Sequence, residues 1–297
     1  MESKQSLEGG HVVSPRRVSF KYRSGSAALR CLSEGSAYFA SPSDLNDSLE
    51  AKFENSSSAD YMASLDRAIK NLAKERGGGG QYEILSHDVP SYEAWYESDS
   101  ANFLKATQRV GIYSTASRPD NQPMWAYYCE NSKGFCFELE WPDEVLGQYQ
   151  IAPSGVLYSS KARVHNRADM FGTLIQEEAE RHPDWSMDRI LEEVRSGFFS
   201  FRFEMMNIWR ATSIKHSDWA HEREVRFITP KAGPLPIMGQ ILKRAYYVRT
   251  DFPEWEPVIT MLHQRYPNVE LVELTFQHTE PYVEVRRKTI QVVPDGS

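Results

Sequence analysis

No apolar run in the 297 residues approaches the roughly 18 needed to cross a bilayer, so no membrane-spanning helix is expected. Met1–Arg17 is polar, lacks the apolar core of a secretory signal, and reads as a flexible lead-in outside the fold. Cysteine is scarce: Cys31, Cys129 and Cys136 are odd in number and lack metal-ligand spacing, which points to a reduced, cytoplasmic setting. Excess positive charge is also absent. A net charge of −7 gives no general attraction to nucleic acid or an anionic membrane, although it leaves room for a local basic groove. There is no Gly-x-Gly-x-x-Gly, Walker loop, His-Glu-x-x-His or Cys-x-x-Cys. His216 and His221 are five apart and miss helical ligand spacing, so no metal site is expected there. No nucleophile elbow supports a serine triad.

What remains is an ordinary globular composition, 40% hydrophobic and 25% charged, on a chain long enough to bury a substantial core. Val18–Arg23 alternates, with Val18, Phe20 and Tyr22 on one face and Ser19, Lys21 and Arg23 on the other. Ser24 is placed to cap a short helix that Gly35 ends, and Ala37–Ala40 is a second short strand. A charged helix is expected over Asp60–Arg76, stopped by the loop Gly77–Gly80. Strands follow at Arg109–Ser117, Gly134–Leu139 and Val156–Ser159. The period then turns helical at Met187–Arg195 and again through Phe198, Phe201, Met205, Ile208 and Thr212. Strand periodicity returns at Glu224–Thr229. The C-terminal part reads strand (Ala245–Arg249), helix (Trp255–Leu262), strand (Val269–Phe276) and a last strand pair (Tyr282–Val293). Strands at both ends with helices between them define an α+β protein with mixed, largely antiparallel sheets. Residues 18–297 read as one domain with a helical insertion at about 55–105.

The richest segment in chemistry is Lys215–Arg226, KHSDWAHEREVR. If a strand begins near His221, its period of two puts Glu222, Glu224 and Arg226 on one face and points Val225 and Phe227 into the core. Two carboxylates on one face repel each other, and burial raises their pKa, so the pair is costly unless it binds something. A solvated strand edge with its glutamates paired to Arg223 and Arg226 explains the same residues. Ser114 and Thr115 end a strand and are followed by Trp125 and Tyr128, which suit either stacking on a planar ring or an aromatic core. Tyr22 and Arg23 leave the first strand toward the Ser24 helix, where an arginine would bind phosphate or simply lie at the surface. Leu45–Glu50 reads as a capped turn.

Six motifs in order resemble the bacterial domain-of-unknown-function family 2971: FKYR from Phe20, YFASPSDLND with Glu50, MWAYY from Met124, KGFCFEL from Lys133, VLY from Val156, and KHSDWAHEREVR. The resemblance covers about Val18–Thr229. The chain departs from the family where Ser48 and Leu49 stand in place of a proline and an aromatic. The order Arg, Ser-Thr-Ala-Ser, Glu-x-Glu also resembles the signature of ADP-ribosyltransferases, with Ala116 replacing the usual third hydroxyl residue. That resemblance implies a split sandwich of two sheets and an enzyme that uses NAD as substrate, a bacterial toxin or anti-phage defence effector. Arg23 would hold the pyrophosphate, with Tyr22, Thr115, Trp125, Tyr128 and Lys215 lining the cofactor site and Ser114 bracing it. Glu224 would stabilise the ribosyl cation and Glu222 would activate an acceptor, protein or nucleic acid. Two alternatives stand beside it. One is a non-catalytic nucleotide or nucleic-acid sensor using Lys21, Arg23, Lys215 and Arg226. The other is a nuclease holding a metal through Glu222, Glu224 and Asp47 or Glu50. A partner protein or a homo-oligomer is compatible with each.

Overall fold

The computed structural model describes residues 17–45, 57–75, 103, 105–160, 167–194, 205–279 and 282–290. The lead-in up to residue 16, the Gly77–Gly80 loop, Asp47–Glu50 and the periodic stretch before Met205 lie outside the described residues.

The chain falls into two compact units, 1–46 with 109–161 and 215–297, and 47–108 with 162–214. The sequence reads as one domain with a single insertion. The difference is the segment 162–214, whose helices join the same unit as the 47–108 insertion.

Among the described residues there are twelve strands, all in the larger unit but for Ile214 at the start of β7: β1 Val18–Ser24, β2 Ala37–Phe39, β3 Gly111–Ala116, β4 Gly134–Glu140, β5 Ala152–Gly155, β6 Leu157–Ser159, β7 Ile214–His216, β8 Glu224–Thr229, β9 Gly233–Leu235, β10 Leu242–Tyr247, β11 Glu270–Thr279 and β12 Tyr282–Ile290. Eight of them form one open sheet in the order β12-β11-β10-β4-β1-β3-β8-β5, and β2 with β9 and β6 with β7 form two-stranded ribbons. All neighbours in the large sheet are antiparallel except β10 and β11. Those two are joined by the helix Trp255–Arg265, the crossover that parallel neighbours require. The α+β class and the largely antiparallel pairing expected from the sequence are therefore present.

Local signals place the elements. Ser24 Oγ accepts from the Ala27 amide at 3.3 Å and opens the helix Gly25–Glu34. Gly35, at φ 65°, ends it in the left-handed conformation that glycine adopts without a Cβ clash. The alternation of β1 holds as read: Tyr22 joins Trp125, Cys136 and Tyr246 in one apolar cluster, while Arg23 lies on the opposite face. The other face carries the larger cluster, where Phe135, Phe137, Val225 and Phe227 meet the helices Gly25–Glu34 and Trp255–Arg265. Phe227 stacks on Trp141 with centroids 3.7 Å apart. Burying a side chain of that size contributes about 2–3 kcal/mol.

The smaller unit is helical where it is described. Helix Ser58–Glu75 runs beside Arg167–Arg181, with Gly172 set against Ala68, and Met187–Val194 follows. The helical stretch 205–211 leads back toward β7.

Candidate functional site

β8 is central to the site because it lies between β3 and β5, and all six of its residues are buried. The solvated-edge reading of Glu224 and Arg226 is thereby overturned: neither side of the strand is free, and Arg226 is 0% exposed. The strand spans Glu224–Thr229, where the sequence periodicity places it, and the earlier start near His221, which would have put Glu222 on the strand, does not hold. Ser217–Glu222 is instead a 3-10 turn, and Arg223 takes φ 49°, which swings the chain into the strand. Glu222 thus reaches Glu224 by a turn and not by strand periodicity. Val225 and Phe227 enter the core as expected.

Four buried charges meet there. Arg226 donates from Nε to Glu224 Oε1 at 2.8 Å and from Nη2 to Glu224 Oε2 at 3.0 Å. Lys215 donates from Nζ to Glu222 Oε2 at 2.5 Å and to Glu224 Oε2 at 3.1 Å. Tyr128 donates its hydroxyl to Glu222 Oε1 at 2.6 Å, and the Glu224 amide donates to the Tyr158 hydroxyl at 2.8 Å. The Ser114 side chain bonds the Glu224 carboxylate. Two cations balance two anions, which is what allows the group to leave water; an unpaired charge here would carry a desolvation cost of several kcal/mol.

The protonation states follow from these contacts. Burial disfavours the Lys215 ammonium, but Glu224 and Glu222 more than offset it and hold its pKa above the ordinary lysine value. Burial, with the neighbouring Glu222, raises the Glu224 carboxyl above its ordinary value, and the Lys215 charge pulls against that rise. Burial pushes the Tyr158 hydroxyl up, so it stays neutral at physiological pH.

Beside the quartet, rings form a row. Trp219 and Tyr127 each lie 6.1 Å, centroid to centroid, from His221, and the Lys215 ammonium lies 5.0 Å from the Trp219 ring. Tyr127 is 74% exposed, so its face is open to a ligand. His221 Nδ1 is bonded to the Asp218 carbonyl, but its Nε2 is buried and makes no hydrogen bond among the described residues.

The residues singled out from sequence divide three ways. Glu222, Glu224, Lys215, Tyr128 and Ser114 converge in the quartet and its immediate contacts. Tyr22, Thr115 and Trp125 are occupied in the scaffold: the Tyr22 hydroxyl donates to the Arg118 carbonyl, Thr115 to the Val225 carbonyl, and Trp125 Nε1 to the Pro119 carbonyl. Arg23 is separated from the rest. Phe20 registers with Ala116 and Ala116 with Glu224, so these share a face, whereas Arg23 registers with Phe135 on the other. There it bonds Tyr113 and leaves its Nε without a partner among the described residues.

From sequence, Lys21 enters only as one of the ligand-binding cations of the sensor alternative. It lies half-buried on the Arg23 face, donates to the Ser114 carbonyl at 2.5 Å, and sits 4.9 Å from the Tyr113 ring. Burial, reinforced by Arg23, lowers its pKa to about 7. Its signal in sequence is only the alternation of β1, which sends a lysine inward beside Arg23. Tyr158 carried no signal beyond its place in the VLY motif.

Among the described residues no group of three or more His, Cys, Asp or Glu is placed to hold a metal ion, and Asp47 and Glu50 are outside them. No helix among the described residues is long and apolar enough to cross a membrane.

The class defined so far is an α+β sheet protein with a buried, neutral ion quartet beside an aromatic row. Residues 124–227 match the family described as protein of unknown function (DUF2971), and the family resemblance carried by the ordered motifs is shown over that stretch. The matched stretch spans Tyr128, Tyr158, Lys215, Glu222, Glu224 and Arg226. No curated protein and no solved structure matches the chain.

Proposed function

We propose that the protein binds a small planar ligand of the nucleotide class at the Tyr127–His221–Trp219 row, with Glu222 and Lys215 as the polar end of the site. The observation that carries this reading is His221 Nε2, a buried ring nitrogen without a hydrogen bond among the described residues, set between two aromatic neighbours. A heterocycle supplies both missing partners at once: a π-face for the rings and a hydrogen-bonding edge for the nitrogen. Phosphate-backbone binding by Lys215 and Arg226 has less support, because each is already bonded to carboxylates. Buried free cysteines fit the same reading in a reduced cytoplasm.

Calorimetric titration with AMP and with NAD tests it. Saturable binding that falls by about tenfold or more in Trp219→Ala and His221→Phe is expected, in line with the cost of a lost stacking or hydrogen-bonding partner. No heat with any nucleotide at millimolar concentration would sink the proposal.

A second reading is favoured by one contact, the Ser114 bond to Glu224, which joins two parts of the transferase-like signature. In that reading the protein transfers ADP-ribose from NAD to a protein or nucleic-acid acceptor, within a split-sandwich fold of that type. Arg23 would have no part, since it faces away, and another cation would meet the pyrophosphate. NAD turnover that is lost in Glu222→Gln and Glu224→Gln, with the fold intact by circular dichroism, selects this reading over simple binding.

A further inference from the structure

We infer that a cavity walled by the 117–120 loop, the start of β1, Glu138 of β4 and Arg244 and Tyr246 of β10 takes a free α-amino acid with an aromatic or large apolar side chain. The cavity measures about 410 Å³, within the size range of small-molecule sites. It shares no residue with the quartet or the aromatic row.

Its lining has three chemical parts. Phe20, Val18 and Pro119 give an apolar wall, and the Phe20 ring is tilted against Tyr246 at 6.1 Å. Two guanidinium groups, Arg118 and Arg244, are each about two-fifths exposed, at 42% and 41%. Arg244 is also held from outside the lining by Glu270, which accepts from its Nε at 2.6 Å, and two carboxylates complete the lining itself. Glu138, whose side chain is only 10% exposed, accepts from Arg244 Nη1 at 2.6 Å and from the Tyr246 hydroxyl at 2.5 Å, and Asp120 pairs with Arg118 Nε.

Charge matching selects the ligand. A purely anionic ligand such as a phosphate would meet Glu138 and Asp120 at close range; a purely cationic one would meet both arginines. A neutral apolar ligand would strip water from four charges without replacing it. A zwitterion with an apolar body satisfies all three parts. Its carboxylate takes guanidinium N–H groups beyond those that Glu138, Glu270 and Asp120 already accept from, since each arginine has five donors. Its ammonium donates to the Glu138 and Asp120 side, and its side chain covers Phe20 and Val18. Glu138 is braced by Tyr246 and Arg244, so the anionic corner is rigid before the ligand arrives.

The test is a titration of the full chain with L-phenylalanine, L-tyrosine and L-tryptophan, followed by calorimetry and thermal shift. N-acetyl-L-phenylalanine and L-phenylalaninamide, each lacking one of the two charges, serve as controls. Saturable binding of a parent amino acid, weakened at least about tenfold by acetylation and by amidation, is expected. Arg118→Met should weaken binding by a similar factor, and Glu138→Gln should weaken it while sparing the N-acetyl compound. Trp219→Ala should leave amino-acid binding unchanged, which separates this site from the nucleotide reading. Absence of binding, or equal affinity for the parent and both blocked forms, overturns the inference without reference to any variant. Binding of AMP that is lost in Arg118→Met overturns it in favour of an anion site.

Discussion

The Lys215 ammonium lies 2.5 Å from the Glu222 carboxylate and reaches Glu224 from the same nitrogen, so one cation clamps both ends of the Glu-x-Glu motif. The clamp sets one positive charge against both buried carboxylates, which offsets part of the cost of burying them together. It also decides which substitutions should be severe.

Lys215→Met leaves Glu222 and Glu224 buried with Arg226 as the direct cationic partner, and should cost about 3–5 kcal/mol in urea unfolding. Adding Glu222→Gln to that variant should recover part of the loss, because the uncompensated carboxylate is gone. A double-mutant cycle with no coupling between the two sites would count against the clamp.

Tyr128→Phe removes a single hydroxyl bond to Glu222. Tyr128 is half-buried, so the expected loss is about 1–2 kcal/mol, at the low end for a hydrogen bond to a charged group. A change confined to ligand affinity, with stability unmoved, would show that water replaces the hydroxyl.

Lys21 has its folded pKa lowered from 10.5 to about 7 by burial and Arg23. The unfolded chain therefore binds the extra proton between these values, and Lys21 opposes folding most strongly below about pH 7. Wild-type stability should rise from pH 7 to pH 9 relative to Lys21→Met, and the variant should lack that increment. Acetic anhydride labelling read by mass spectrometry should place Lys21 among the most reactive lysines at neutral pH. An ordinary lysine profile would refute this.

Gly134 opens β4 against β1, and a Cβ placed there would lie 2.2 Å from the Arg23 carbonyl oxygen. Backbone cannot yield as a flexible side chain does, so Gly134→Ala should destabilise by about 2–3 kcal/mol and shift the β1–β4 register. Thermal unfolding beside Gly147→Ala, where nothing lies within 4 Å, gives the control.

Much of the scaffold was legible in sequence because the signals are local. The Ser24 cap, the Gly35 stop and the alternation of β1 and β8 each depend on a few neighbouring residues, and each appears where read. The helix Gln122–Tyr128 was missed inside a segment bracketed by Pro119 and Glu130. Its proline falls in the first helical turn, where its absent N–H costs nothing. β5 was missed because Pro153 argues against a strand, yet it sits on the sheet edge where that is tolerated.

By itself the sequence determined that Glu224 and Arg226 share a face while Val225 and Phe227 enter the core, since a period of two fixes this once a strand forms. It also marked Lys215–Arg226 as the segment richest in chemistry. Only the tertiary structure decided what those charges do. The left-handed Arg223 brings Glu222 back beside Glu224, β3 and β5 enclose the strand, and Lys215 arrives from β7 to neutralise both carboxylates. It also sent Arg23 to the opposite face from Glu224, because register across β1, β3 and β8 is a long-range property that no local pattern encodes.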